Sequence, residues 1–207
     1  MAAITDYSTL KTGISDYMAR GTDLDSFLDD FIDRSEAHFN RKLRMTQMEE
    51  ETTLTIDSDG NSTLPADFLV TRSARWVGSP NRELRPISMG GENRLSPNDT
   101  SSTPYYFSIS GTTFRVTPIN AGTVTLTYFE KVPALSDSTT TNWLLDLSPD
   151  LYFYRCLAEA NAFIREFTAS TGFAQHAENI MEELTGMDNL ARYSNAEIVY
   201  DGVVDHS

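Results

Sequence analysis

Tyr128-Phe129-Glu130-Lys131-Val132-Pro133-Ala134-Leu135-Ser136-Asp137 leads into Thr141-Asn142-Trp143-Leu144-Leu145 and then Pro149-Asp150-Leu151-Tyr152, and within these residues the chain changes its period. Just before them, threonines alternate with Val124, Leu126 and Tyr128, the period-two pattern of a strand with one buried face. After them, Ser148-Pro149-Asp150 reads as a helix start: Ser as N-cap, Pro at the first helical position, Asp in the first turn. From Leu151 through Phe167 the residues are apolar around most of a helical circumference. Such a helix is either central in its own fold or sandwiched between neighbours.

Upstream, period two reaches back to Glu51. Leu54 and Ile56 alternate with threonines, and Asp57-Ser58-Asp59-Gly60-Asn61 supplies a turn. Strands are predicted over Thr71 to Val77 and around Leu84 and Ile87, and Ser110-Gly111-Thr112 between Tyr105–Ser110 and Thr113–Thr117 predicts a hairpin. The Gly-, Ser-, Pro- and Asn-rich stretch from Gly90 to Thr103 reads as a long surface loop.

Further out, helices return on both sides. Tyr7, Leu10, Ile14, Tyr17 and Met18 recur at helical spacing behind Asp6 as N-cap, with Gly21 as the stop. Gly13 inside that helix costs about 1 kcal/mol relative to Ala, so the helix depends on packing. A second helix is expected to open at Thr22 or Asp23. Leu24, Phe27, Leu28, Phe31, Ile32, Phe39 and Leu43 form its apolar stripe, with Asp29, Asp30, Asp33, Arg34 and Glu36 mainly opposite. Its basic end, Arg41, Lys42 and Arg44, suits the negative pole of the helix. Near the C-terminus a last amphipathic helix places Phe173, Ala177, Ile180, Met181, Leu184 and Met187 at core spacing, weakened at its end by Gly186.

The predicted class is therefore α+β. Residues 1–48 and 146–195 make a helical bundle, 49–145 an inserted, mainly antiparallel β lobe with its connecting loop, and 196–207 a docking tail. The tail carries two short apolar patches: Ile198, Val199 and Tyr200, then Val203 and Val204.

At 207 residues the chain is one large domain, or one domain with an inserted lobe. Folding should bury roughly 70% of the unfolded surface, enough for a core without disulfide or metal. Cys156 is the single cysteine, which excludes an intrachain disulfide and fits a reducing compartment. Met1 to Asp6 shows no basic-then-apolar leader, and no run approaches the roughly 20 apolar residues of a membrane span. A protein soluble in the cytosol when made is expected. Sixteen Lys and Arg against thirty Asp and Glu leave −14. Phosphate binding rests on cations that displace counterions, so a sequence reader or phosphate clamp is disfavoured. A solubilising acidic surface, or one that lets DNA pass without sticking, fits.

No catalytic residue, metal ligand or cofactor site emerges, and no enzyme is expected. His38, His176 and His206 sit in different segments, none with a second His or Cys at ligand spacing; the first two read as solvated helix positions. Cys156 reads as a small buried thiol. Asp57, Asp59 and Asn61 mimic the start of a calcium loop, but the glycine falls at 60 and Phe68 stands where a bidentate Glu belongs. That stretch reads as a hairpin turn.

The strand–loop–helix pattern from Tyr128 to Tyr152 resembles the head-to-tail adaptor (connector, or head-completion) proteins of tailed bacteriophages. Tyr7 to Arg20 followed by Phe27 to Leu43 resembles that family's opening helix pair. Leu64-Pro65-Ala66-Asp67-Phe68 resembles its Leu-Pro turn, and Pro104-Tyr105-Tyr106 with Phe114 and Pro118 its hairpin. The resemblance covers most of residues 4 to 167. It implies a structural virion protein without cofactor, located in the neck and assembled in the host cytoplasm. Copies would form a homo-oligomeric ring, a dodecamer matching the portal protein, with a tail or nozzle protein below. The ring would frame the channel for genomic DNA without reading its sequence and would touch no membrane. On this reading the interface candidates are Trp143, Leu144 and Leu145, with Ile198, Val199, Tyr200, Val203 and Val204 in the tail; Trp143 is alternatively a core anchor under its loop. Two other classes fit the residues: another neck or tail-completion (stopper) component, and a non-viral acidic protein-binding module.

Overall fold

A computed structural model describes residues 3–20, 23–79, 81–88 and 103–193. Contacts divide the chain into two units: residues 47–132, and the residues before and after them. The class is α+β.

In the helical unit, α1 (Tyr7–Met18) opens on a capping box: Asp6 Oδ1 accepts from the Thr9 amide at 2.8 Å, and Thr9 Oγ1 accepts from the Asp6 amide at 2.9 Å. It stops before Gly21, at Ala19 in the left-handed region (φ 50). The second helix starts later than the sequence suggests. A 3-10 turn at Asp25–Phe27, tied by Phe27 N–H to Leu24 O, precedes α2 (Leu28–Lys42). A short α3 (Trp143–Leu147) is capped by Asn142, whose Oδ1 accepts from the Leu145 amide at 2.8 Å.

The apolar helix is α4 (Pro149–Phe163), and it packs against α1, α2, α3 and α5. Centrality is what its all-round apolar surface requires: Leu151, Tyr152, Cys156, Leu157 and Ala160 are fully buried. Pro149 takes the first turn as expected, but the Ser148 hydroxyl donates to the Asp150 carboxylate instead of capping a backbone amide. Nor does the helix reach Phe167. Arg165 at φ 68 breaks the helical path, and α5 (Phe167–Tyr193) begins beyond it. Helix α5 runs straight through Gly186 for seven more residues, because its inward face is tied down past that point. Asp188 accepts from the Thr46 amide at 3.1 Å and pairs with Arg192 at 3.0 Å.

The other unit carries eight strands among the described residues: β1 (Glu49–Ile56), β2 (Asn61–Thr63), β3 (Phe68–Val77), β4 (Arg82–Glu83), β5 (Arg85–Pro86), β6 (Tyr106–Ser110), β7 (Thr113–Thr117) and β8 (Gly122–Glu130). They form two sheets, ordered β1-β8-β3-β4 and β2-β7-β6-β5, with β5–β6 parallel and the other pairs antiparallel. The region around Leu84 and Ile87 thus supplies two very short strands to different sheets. Alternation in β8 buries Val124, Leu126 and Tyr128, which join Leu54, Ile56, Trp76, Phe107, Phe114 and Val116 in one core. Gly111 at φ 57 makes the predicted β6–β7 turn. At Gly122 a Cβ would stand 2.5 Å from the Trp76 ring, so only glycine lets the indole lie across the strand. The Asp57–Asn61 segment is a hairpin turn in which Asp57 Oδ1 accepts from the amides of Asp59 and Asn61.

The Gly90–Thr103 loop lies outside the described residues except for Thr103, and the docking tail, 196–207, lies wholly outside them.

Candidate assembly surfaces

Residues 133–145 leave the β unit's last strand and pack with the helices, although the sequence reading grouped them with the β lobe. A buried polar network holds them there. Glu36 Oε1 accepts from the Leu135 amide at 2.9 Å and from the Tyr152 hydroxyl at 3.1 Å. Asn142 Nδ2 donates to Pro133 O and to the Tyr152 oxygen, both at 2.7 Å. Burial pushes the Glu36 carboxyl up to about 7, against the lowering effect of its two hydrogen bonds, and Asp33 adds to the rise. Burial likewise pushes the Tyr152 phenol far above its ordinary range. These groups are therefore structural donors and acceptors.

Glu36 was expected on the polar face of α2 and is instead 4% exposed. Its spacing from Ile32 and Phe39 (four and three residues) places it on the apolar stripe, and that spacing was the available signal.

Trp143 is half-buried, with its indole Nε1 enclosed and without a hydrogen-bond partner among the described residues. Leu144 and Leu145 are corrections. At 0% and 1% exposure they belong to the core, because the short α3 turns both leucines inward, so they offer nothing to a partner. Ile198, Val199, Tyr200, Val203 and Val204 lie outside the described residues.

The exposed apolar residues lie elsewhere. At the start of α5, Phe167 is 66% exposed; Phe163, the last residue of α4, is 45% exposed and packs its ring on Phe27 and Phe31. Near its end, Met187 and Leu190 are 67% and 73% exposed. Met187 was expected in the core. Helix α5 carries apolar residues on two faces: Ala177 and Met181 turn inward with Asp188, and Leu184 flanks them half-buried, whereas Met187 and Leu190 face away.

Two of the reactive groups are withdrawn from solvent, Cys156 wholly and His38 in part. Cys156 is fully buried beside the Ser35 hydroxyl (3.4 Å), and burial pushes its thiol up to about 12. His38 is half-buried rather than solvated: it bonds Glu178 at 2.8 Å, and burial, with the Arg155 charge, lowers its pKa. His176 is exposed and meets the Tyr154 ring edge-on. Among the described residues no group of three or more His, Cys, Asp or Glu could hold a metal, and no helix is long and apolar enough to cross a membrane.

The sequence profile of one family, the SU10 adaptor proteins, matches residues 5–199. The chain belongs to that family. The SU10 adaptor proteins are phage head-tail adaptors, so this is a phage adaptor protein, in agreement with the resemblance read from Tyr128 to Tyr152. The match extends the resemblance past residue 168 across α5, the helix that carries Met187 and Leu190. No curated protein matches the chain.

Proposed function

We propose that this SU10 adaptor protein forms a ring, a dodecamer, between the portal and the tail of the virion, framing the channel through which DNA leaves the head. The observation that carries this is the family match over residues 5–199, joined to the large apolar side chains left exposed on α5. An adaptor transforms no substrate; it presents adhesive surfaces on more than one side. Phe163 at the end of α4 with Phe167 at the start of α5, and Met187 and Leu190 near the end of α5, supply two such surfaces. A contact between unlike surfaces is heterologous, and heterologous contacts form a ring when the rotation from copy to copy closes.

The remaining parts follow from charge and composition. With net −14 the protein repels DNA, which suits a channel lining that lets the genome slide. The apolar tail residues Ile198, Val199, Tyr200, Val203 and Val204 anchor the protein in the assembly. Trp143, part-exposed on α3, is the remaining interface residue of its segment.

Co-sedimentation of the purified protein with portal complex tests the reading. Saturable binding at a fixed ratio of copies per portal is expected. Protein that stays in the supernatant at every workable concentration contradicts it.

A further inference from the structure

Helix α5 holds a glycine that its own chain does not require. Gly186 is exposed in the helix interior, and a Cβ there would meet nothing within 4 Å. An interior glycine weakens a helix relative to alanine, and here no neighbour forbids the alanine. Gly122 is the contrast, because the Trp76 ring takes the space of its Cβ. Around Gly186 stand Glu183, Met187 and Leu190, all exposed. Positions 183, 186, 187 and 190 follow i, i+3, i+4 and i+7, the four corners of the hole that takes a side chain when helices pack. With glycine at one corner and long side chains at the others, this hole suits a large apolar knob.

A knob of that kind is exposed at the other end of the same helix. Phe167 is the more open of the two phenylalanines at the corner between α4 and α5, with Phe163 the other. Arg165 makes that corner in the left-handed region, which glycine adopts at no cost and arginine does not. Its side chain is exposed, with no hydrogen bond or ion pair among the described residues. Glu166 beside it is exposed as well, at the positive pole of α5, where a carboxylate is favoured. Glu183, at the rim of the hole, likewise has no ion pair among the described residues. The two surfaces match in chemistry: phenylalanines and an unpaired guanidinium on one, Met187, Leu190 and an unpaired carboxylate on the other. Methionine sulfur also packs favourably on aromatic rings. The surfaces cannot meet within one chain, since Phe167 and Leu190 stand about 35 Å apart along one continuous helix.

We infer that the hole at Gly186 receives Phe167 of a second copy of this chain, with Arg165 of that copy paired to Glu183. This deepens the ring reading and rests on it: the two surfaces are unlike, so the contact is heterologous and repeats from copy to copy.

The test uses full-length chains loaded on portal complex and a short bismaleimide, toward which the buried Cys156 stays silent. A chain carrying both Arg165→Cys and Glu183→Cys should cross-link into a ladder of multimers. Either change alone should give no product, because like positions do not meet. Exchanging the charges gives a second readout: Arg165→Glu or Glu183→Arg alone should weaken binding to portal complex at least about tenfold, and the two together should restore it. Gly186→Gln gives a third. It should raise the urea midpoint, because the helix gains propensity, yet weaken binding at least about tenfold, because the hole is filled. Cross-links from a single cysteine, no ladder from the pair, no rescue by the exchange, or Gly186→Gln chains that bind unimpaired would each overturn the inference. If the unaltered chain binds portal complex and the ladder is absent, only this inference falls and the adaptor function stands; if it does not bind at all, the ring reading falls and this contact with it.

Discussion

The Tyr152 hydroxyl donates to Glu36 Oε1 at 3.1 Å, joining the central helix to α2 inside the helical unit. The same carboxylate oxygen takes the Leu135 amide, so one side chain fastens the connector as well as the bundle.

Stability should fall as pH rises across neutrality. Glu36 is raised from its ordinary 4.5 to about 7 in the folded chain. Its contribution is fully present below about pH 4.5 and is lost as pH climbs through 7, a change on the order of 2–3 kcal/mol. Glu36→Gln keeps an acceptor for Leu135 and Tyr152 and should flatten that slope. Urea unfolding of both proteins at pH 5 and pH 8 checks this; equal slopes in the two contradict it.

Asn142→Ala should cost about 2–4 kcal/mol. It removes the cap of α3 and strips the donor from Pro133 O and Tyr152. Denaturant midpoints measure the loss, and a change below about 0.5 kcal/mol would show that the network is not what holds the connector.

Cys156 should be silent toward thiol reagents in the native protein. Only the thiolate reacts, and this thiol is both fully buried and raised to about 12. Labelling with an aromatic disulfide should proceed only as the protein unfolds; fast labelling without denaturant contradicts the placement.

Leu190→Glu, alone or with Met187→Glu, should leave monomer stability within about 0.5 kcal/mol, because both side chains already face solvent. The number of copies bound per portal complex should nevertheless drop sharply. Unchanged binding would show that the end of α5 is not an assembly surface.

Much of the fold was legible because its signals are local. The alternation of Val124, Leu126 and Tyr128, the Gly111 turn and the Asp6 capping box each depend on a few neighbouring residues. The corrections come where tertiary packing decides. Spacing alone does not say whether Leu144 and Leu145 face a partner or their own core, nor which of the two apolar faces of α5 turns inward. Gly186 was read as weakening the end of its helix, yet Asp188 and Arg192 anchor the helix beyond it. Glu36 was misplaced because a charged residue was taken as exposed, although its position matched the buried stripe.

Microscopy of the intact virion at a resolution that traces helices tests the central claim most directly. The account predicts a ring of this chain in the neck, between portal and tail, with subunits in contact through the exposed ends of α5. Density for the chain elsewhere in the particle, or single copies out of contact with one another, would contradict it.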